Sequence, residues 1–186
     1  MIKAVLDASV LYPAPLRDLL MHLAVQEVFR ARWTSLIHDE WIRNVLKNRP
    51  DLTLARLERT KNLMNENAKN SLVTHFEHHI EALSLPDSDD CHVLAAAIQT
   101  KADVIVTANL RHFPKRTLAS FGIRPLHQDE FLLELLQENS QGVLTAIGVQ
   151  QSSLSNPPVT MPNLLETLEQ QSLKHSVKQI RAILGM

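Results

Sequence analysis

"SDDCHVLAAAIQTKADVIVTAN" runs from Ser88 to Asn109 and changes character partway along. The first part, from the acids to Lys101, is an almost unbroken apolar run of helical length. The second, Ala102–Asn109, is entirely apolar from Val104 to Val106, the mark of a strand buried on both faces. A helix delivering a buried strand is the repeating unit of a parallel sheet. The same stretch sets Asp89 and Asp90, with Asp87 just ahead, against a segment that must be buried. Two like charges about 4 Å apart repel by roughly 4 kcal/mol at an effective dielectric near 20. A helix N-terminus, solvent, a basic partner or a bound cation has to offset that cost.

The flanking sequence continues the pattern. "IKAVL" (Ile2–Leu6) reads as a buried first strand with Asp7 at its carboxyl end. Leu16, Leu19, Leu20, Leu23 and Ala24 recur at helical spacing and predict a helix to about Arg30. "ARWTS" (31–35) is a second strand. Ile37, Trp41 and Val45 place an amphipathic helix over Leu36–Asn48, closing before Pro50, and Leu52–Asn67 is a more polar one. "NSLVTHFEHH" (70–79) reads either as a strand or as a short helix. "GIRPL" (122–126) is a last short strand, followed by a helix in "DEFLLELLQEN" (129–139). Strands separated by helices give an α/β fold, a three-layer α/β/α sandwich around a parallel sheet.

Beyond about Gly142 the composition shifts. "QQSSLSNPPVTMPN" (150–163) reads as a linker or turn, and two short helices follow, near Pro162–Gln171 and Lys174–Leu184. Thr160 is a candidate cap for the first. The expected division is a core of residues 1–140 and a C-terminal helical extension of 141–186.

Composition bounds the rest. With 186 residues, 45% hydrophobic and 21% charged, the chain can bury a sizeable core. The net charge of −1 gives no global sign of nucleic-acid binding. The single cysteine, Cys91, rules out an intrachain disulfide and suits a reducing compartment. Asp7 and prolines interrupt the N-terminal apolar run, so no signal peptide is expected. No run has the length of a membrane span, and a cytoplasmic setting is expected.

In open α/β sheets, ligands bind outside the carboxyl ends of the strands. Asp7 ends one strand, and Thr107 and Asn109 end another. Asp90 opens the helix that feeds the second strand, so it reaches that edge only if the connection crosses the carboxyl ends before the helix descends. Glu40 lies on a helix beside Ile37 and Trp41 and points partly inward. Three carboxylates and an amide drawn from distant positions form an oxygen set suited to Mg²⁺ or Mn²⁺.

"VLDASVLYPAPLRDLL", "RWTSLIHDEWIRNVL" and "LPDSDDCHVLAAAIQTKADVIVTANLRHF" together resemble the PIN-domain ribonucleases, especially the VapC-like toxins. The resemblance covers roughly Met1 to Phe131, and the third segment is its most specific part. It implies a PIN-like fold with Asp7, Glu40 and Asp90 as catalytic acids and metal ligands. Thr107 would orient a carboxylate, and Asn109 would be a fourth, neutral ligand. Asn109, Ser9 and Cys91 stand where many family members carry Asp, Asn and Arg. The implied activity is Mg²⁺- or Mn²⁺-dependent hydrolysis of single-stranded RNA. The implied partners are that RNA, a cognate antitoxin and a second copy in a homodimer. The alternative is a catalytically weak or inactive PIN-type module that binds RNA or protein.

Other readings compete locally. Asp87 and Asp90 have the spacing of an N-cap and an N3 acid. His75 and His79 stand at i, i+4 but lack a third zinc ligand nearby. Cys91 reads as a structural thiol, with His92 expected on another face. The basic residues between Lys101 and Arg124, together with Arg17, Arg30 and Arg32, are candidates for phosphate contact or for a solvated surface. A phosphoacceptor receiver would want an acid pair near the first strand, where only Asp7 stands.

Overall fold

The computed structural model describes residues 1–186. Four strands form one parallel sheet in the order β2-β1-β3-β4: β1 (Lys3–Leu6), β2 (Arg30–Arg32), β3 (Val104–Val106) and β4 (Arg124–Leu126). The register sets Val5 between Arg32 and Ile105, and Val106 beside Leu126. Ala4, Val5, Leu6 and Val104–Val106 are fully buried, as the two apolar runs require when helices cover both faces. The fold is the expected α/β arrangement with a helical C-terminal extension.

Between β1 and β2 lie α1 (Ala8–Leu11) and α2 (Ala14–Val25). α2 ends five residues short of the expected Arg30, because Glu27 turns the chain with a φ of 55° and Val28–Phe29 lead into β2. β2 itself begins one residue early and is over by Arg32, since Thr34 already caps α3 (Ser35–Asn48) by accepting from the Ile37 amide. α3 buries Ile37, Trp41, Ile42 and Val45, each such side chain contributing about 1.5–3 kcal/mol on burial. α4 (Leu54–Asn67) follows, capped by Thr53. The ambiguous segment divides: Leu72 makes a bridge to Trp33, and Glu77–Ala82 is a 3₁₀ turn.

α5 (Cys91–Thr100) runs antiparallel to the strands, and this decides where Asp90 lies. Its last turn sits at the amino end of β1, where Lys3 Nζ donates to the Thr100 carbonyl at 2.6 Å. Its first turn is therefore at the carboxyl ends of the strands. A short α6 (Lys115–Ala119) connects β3 to β4.

The extension differs from its sequence reading in one respect. The helix expected over 129–139 is α7, Gln128–Ser153, which carries the chain well past residue 140. It bends at Asn139, whose φ of −150° and ψ of 69° are not helical. Asn139 Oδ1 accepts from the Gly142 amide at 2.9 Å and so caps the second half. A Cβ at Gly142 would stand 2.5 Å from the Asn139 amide nitrogen, so glycine makes room for this internal cap. α8 (Met161–Gln170) is capped by Thr160, and α9 is Lys174–Leu184. Leu164, Leu165, Leu168, Val177 and Ile180 join the same apolar cluster as the sheet. No helix is long and apolar enough to cross a membrane.

Candidate active site

Asp7 leaves β1 at its carboxyl end, and its amide donates to the Val106 carbonyl at 3.0 Å, continuing the ladder with β3. Its side chain is only 3% exposed. Thr107 Oγ1 donates to Asp7 Oδ2 at 2.7 Å, and Ser9 Oγ donates to the same oxygen at 2.5 Å. Each hydroxyl is oriented from behind: Thr107 Oγ1 accepts from the Asn109 amide at 2.9 Å, and Ser9 Oγ from the Ala108 amide at 3.0 Å. The two hydroxyl protons are thus both committed to one carboxylate oxygen.

Even so, burial pushes the Asp7 carboxyl above the usual aspartate range, and the nearby charge of Glu40 pushes it further. The hydroxyl bonds from Ser9 and Thr107 counter this only in part. Asp90, half-buried at the start of α5, is also raised, first by burial and then by Asp7. Asp7 therefore repels both Glu40 and Asp90, acids contributed by α3 and by the turn before α5. No lysine or arginine pairs with any of the three.

The ionic neighbours of Asp90 and Glu40 are histidines. His112 Nδ1 lies 2.7 Å from Asp90 Oδ2 and 3.7 Å from Asp87 Oδ2. Arg111 Nε–H donates to His112 Nε2 at 3.2 Å, which leaves the ring proton on Nδ1, facing Asp90. His92 Nε2 stands 3.7 Å from Glu40 Oε2, so the ring serves Glu40, while Cys91 Sγ is turned to the Leu83 carbonyl. His92 Nδ1 is buried without a partner. Ligand atoms of Asp87, Asp90 and His112 all lie within 4.8 Å of one another. That group shares Asp90 with the expected acids but contains neither Asp7 nor Glu40.

Asp87 does cap a turn, accepting from the Asp89 amide at 3.1 Å, but the turn is the 3₁₀ segment Ser88–Asp90 that precedes α5. Asn109 is exposed beyond β3, and its backbone amide, rather than its side chain, holds Thr107. Cys91 is buried with Sγ 3.8 Å from the Leu83 carbonyl. His79 pairs with Gln99 at 3.1 Å, and neither it nor His75 joins a three-ligand group. Arg17 is turned inward, over the Trp41 ring at 4.5 Å and onto the Leu11 carbonyl at 2.6 Å, so it is not free for a phosphate.

The motif spacing singles out the acids but gives no role beside them to His112 or His92. "RHF" two residues beyond Asn109 was the available signal for the first. The pairing of His92 with Glu40 depends on how α3 and α5 pack, which no local pattern encodes.

A four-stranded parallel sheet with acids gathered at its carboxyl edge is the architecture of a PIN-type domain, and the chain belongs to the PIN-domain family. The family profile described as PIN domain matches residues 3–111, and one described as VapC50 C-terminal domain matches residues 128–182. The "Putative ribonuclease VapC50" of Mycobacterium tuberculosis (strain ATCC 25618 / H37Rv) is 39% identical over 92 residues, covering 50% of this chain and 54% of that protein. The chain thus spans about half the length of the curated relative it matches. No solved structure matches it.

Proposed function

We propose that this protein is a metal-dependent endoribonuclease that hydrolyses phosphodiester bonds of single-stranded RNA at the carboxyl edge of its sheet. The observation that carries this reading is the isolation of Asp7. A nearly inaccessible carboxylate is raised in pKa, repelled by two neighbouring acids and met by no basic side chain. Such a site is incomplete as a purely structural one, and its donor set of carboxylate oxygens suits a hard divalent cation.

In this reading Asp7, Glu40 and Asp90 hold Mg²⁺ or Mn²⁺, with Asn109 as a fourth, neutral ligand. The chemistry supplied by such an ion is charge neutralisation on the phosphate and acidification of a water near neutral pH. The chain's own residues do the positioning. Thr107 and Ser9 fix one oxygen of Asp7, and their own hydroxyls are fixed by backbone amides. His112 holds Asp90 through Nδ1–H, and His92 stands against Glu40. Residues 1–140 would carry the chemistry, and 141–186 would buttress α2 and the sheet.

The relative's printed name supports ribonuclease chemistry for the family. We extend that to a toxin silenced by a small antitoxin, acting in the cytoplasm as a homodimer. Purified full-length chain should cut a single-stranded RNA panel only with Mg²⁺ or Mn²⁺ and stop in EDTA. Asp7→Asn should reduce cleavage to background, and Thr107→Val should reduce it by about 10–100-fold, as loss of a ligand-orienting group does. Cleavage that persists in Asp7→Asn would refute the site, and its absence from the wild type would favour a binding module.

A further inference from the structure

A second charged region lies beside β2, toward the amino ends of the strands. β2 is the outermost strand, and beside it is a cavity of about 570 Å³ lined by Arg30, Arg32 and Lys69, with Asn67, Asn70 and Ser71. Arg30 and Arg32 are two residues apart on a strand and so project from the same face. Glu27 is the one acid on the lining. None of the three cations is paired with a carboxylate, whereas Arg49, Arg124 and Arg181 each pair with one. The Arg32 guanidinium donates only to its neighbour's carbonyl, Ala31 O, at 2.7 Å. Burial lowers the Arg32 pKa, and the adjacent Arg30 lowers it further.

Arg32 is partly buried while Arg30 and Lys69 are exposed at the rim, so an anion entering the cavity meets all three cations, and guanidinium forks match phosphate oxygens in geometry. The volume suits a nucleotide-sized group, falling within about 300–1,000 Å³. The cavity reaches from the amino ends of the strands, at Met1 and Glu27, up to Arg32. Arg32 is in register with Val5, two residues before Asp7, which separates their backbones by about 7 Å along the strand and one strand spacing of about 4.8 Å across.

We propose that the cavity beside β2 is a phosphate-binding site that grips the backbone of a single-stranded RNA on the amino-end side of the position cut at Asp7. It rests on the nuclease reading for its ligand, and on Arg30, Arg32 and Lys69 for its chemistry. Backbone contacts carry no sequence information, so the site contributes affinity and orientation.

The test is equilibrium binding of labelled single-stranded RNA oligonucleotides of several sequences to the full chain in EDTA, across a salt series. Arg30→Gln/Arg32→Gln should bind all sequences about 10-fold more weakly at moderate salt, with the log–log salt slope shallower by about 1.4, two contacts at about 0.7 each. Lys69→Gln should remove about 0.7 of slope. A double variant with native circular dichroism and unchanged affinity and slope overturns the proposal. So does loss of binding to inorganic phosphate or a mononucleotide with RNA affinity intact, because the cavity then serves a free anion. Cleavage is read separately. Asp7-dependent cleavage with an unchanged slope sinks the cavity and leaves the nuclease standing. A reduced slope with no cleavage in the wild type sinks the nuclease and leaves the cavity.

Discussion

Asp7 and Asp129 are almost equally hidden, 3% and 5% exposed, yet their carboxyl groups are driven in opposite directions. Asp129, in the first turn of α7, reaches across to the start of α9. Its Oδ1 accepts from the Ser176 amide at 2.8 Å and the Ser176 hydroxyl at 2.6 Å. Its Oδ2 accepts from the His175 amide at 2.9 Å and from His175 Nδ1 at 2.8 Å. Burial alone would raise its pKa, but these bonds from Ser176 and His175 outweigh burial and hold it below the usual range. Asp7 has two donors on one oxygen, two acids nearby and a raised pKa. The difference separates a carboxylate completed by its own chain from one left to be completed from outside. The first fastens the helical extension, and the second is where a ligand belongs.

The largest test of that contrast is removal of the completed acid. Asp129→Ala strands two backbone N–H groups and the Ser176 hydroxyl at the start of α9. The His175 side chain is mostly exposed, so its share is small. The expected loss is about 2–4 kcal/mol, seen as a lower urea midpoint and as earlier hydrogen exchange in α9. Because the folded pKa of Asp129 is depressed, its stabilisation is present above the unfolded value of 3.8 and lost as pH falls through the folded one. An Asp129→Ala variant as stable as the parent would break the comparison.

A third buried polar group sharpens it. His38 is fully buried on α3, where Trp41 Nε1 donates to its Nδ1 at 3.0 Å and its Nε2 meets Asn65 Oδ1 at 3.1 Å. Trp33 Nε1 donates to the same Asn65 oxygen at 2.7 Å. The indole donor leaves the ring proton on Nε2, so the network is satisfied by a neutral imidazole. Burial lowers the His38 pKa to about 4. The unfolded chain takes up a proton below pH 6.5 that the folded chain refuses until about 4, so this stability is complete above 6.5 and falls through that window. The loss should approach about 3 kcal/mol by pH 4, and His38→Gln should flatten that part of the profile in urea titrations at stepped pH.

These three groups also mark how far sequence carries. Asp7 is legible because its role is local to a motif: an acid at the end of a buried apolar run, with Thr107 and Asn109 ending another. The sheet was legible for the same reason, from short β-branched runs at Ile2–Leu6 and Val104–Val106. Asp129 appears only as one acid among several before a helix, since its partners lie 46 and 47 residues later and two of them are backbone amides that any sequence supplies. His38 hides likewise, because its burial depends on Asn65 and Trp33 arriving from other elements. The continuation of α7 past Asn139 was masked by a polar, glycine-containing stretch. That stretch reads as a break until the Asn139 cap on Gly142 is seen.

The smallest effect is the most discriminating, because its sign is opposite to that at Asp129. A folded pKa raised above the unfolded value means that Asp7 favours the folded state when protonated. That contribution is present below pH 3.8 and lost as pH rises through the folded pKa, so near neutrality the ionised carboxylate opposes folding. Asp7→Asn keeps the shape and removes the charge. In EDTA at pH 7 it should therefore raise the melting temperature, by about 2–4 °C for each kcal/mol of relieved repulsion in a chain of this size. Mn²⁺ should then stabilise the wild type through binding to the folded state and have little effect on the variant. An Asp7→Asn protein that melts below the wild type in EDTA would put Asp7 in the same class as Asp129, a structural acid already satisfied. The raised pKa would then no longer point to an ion.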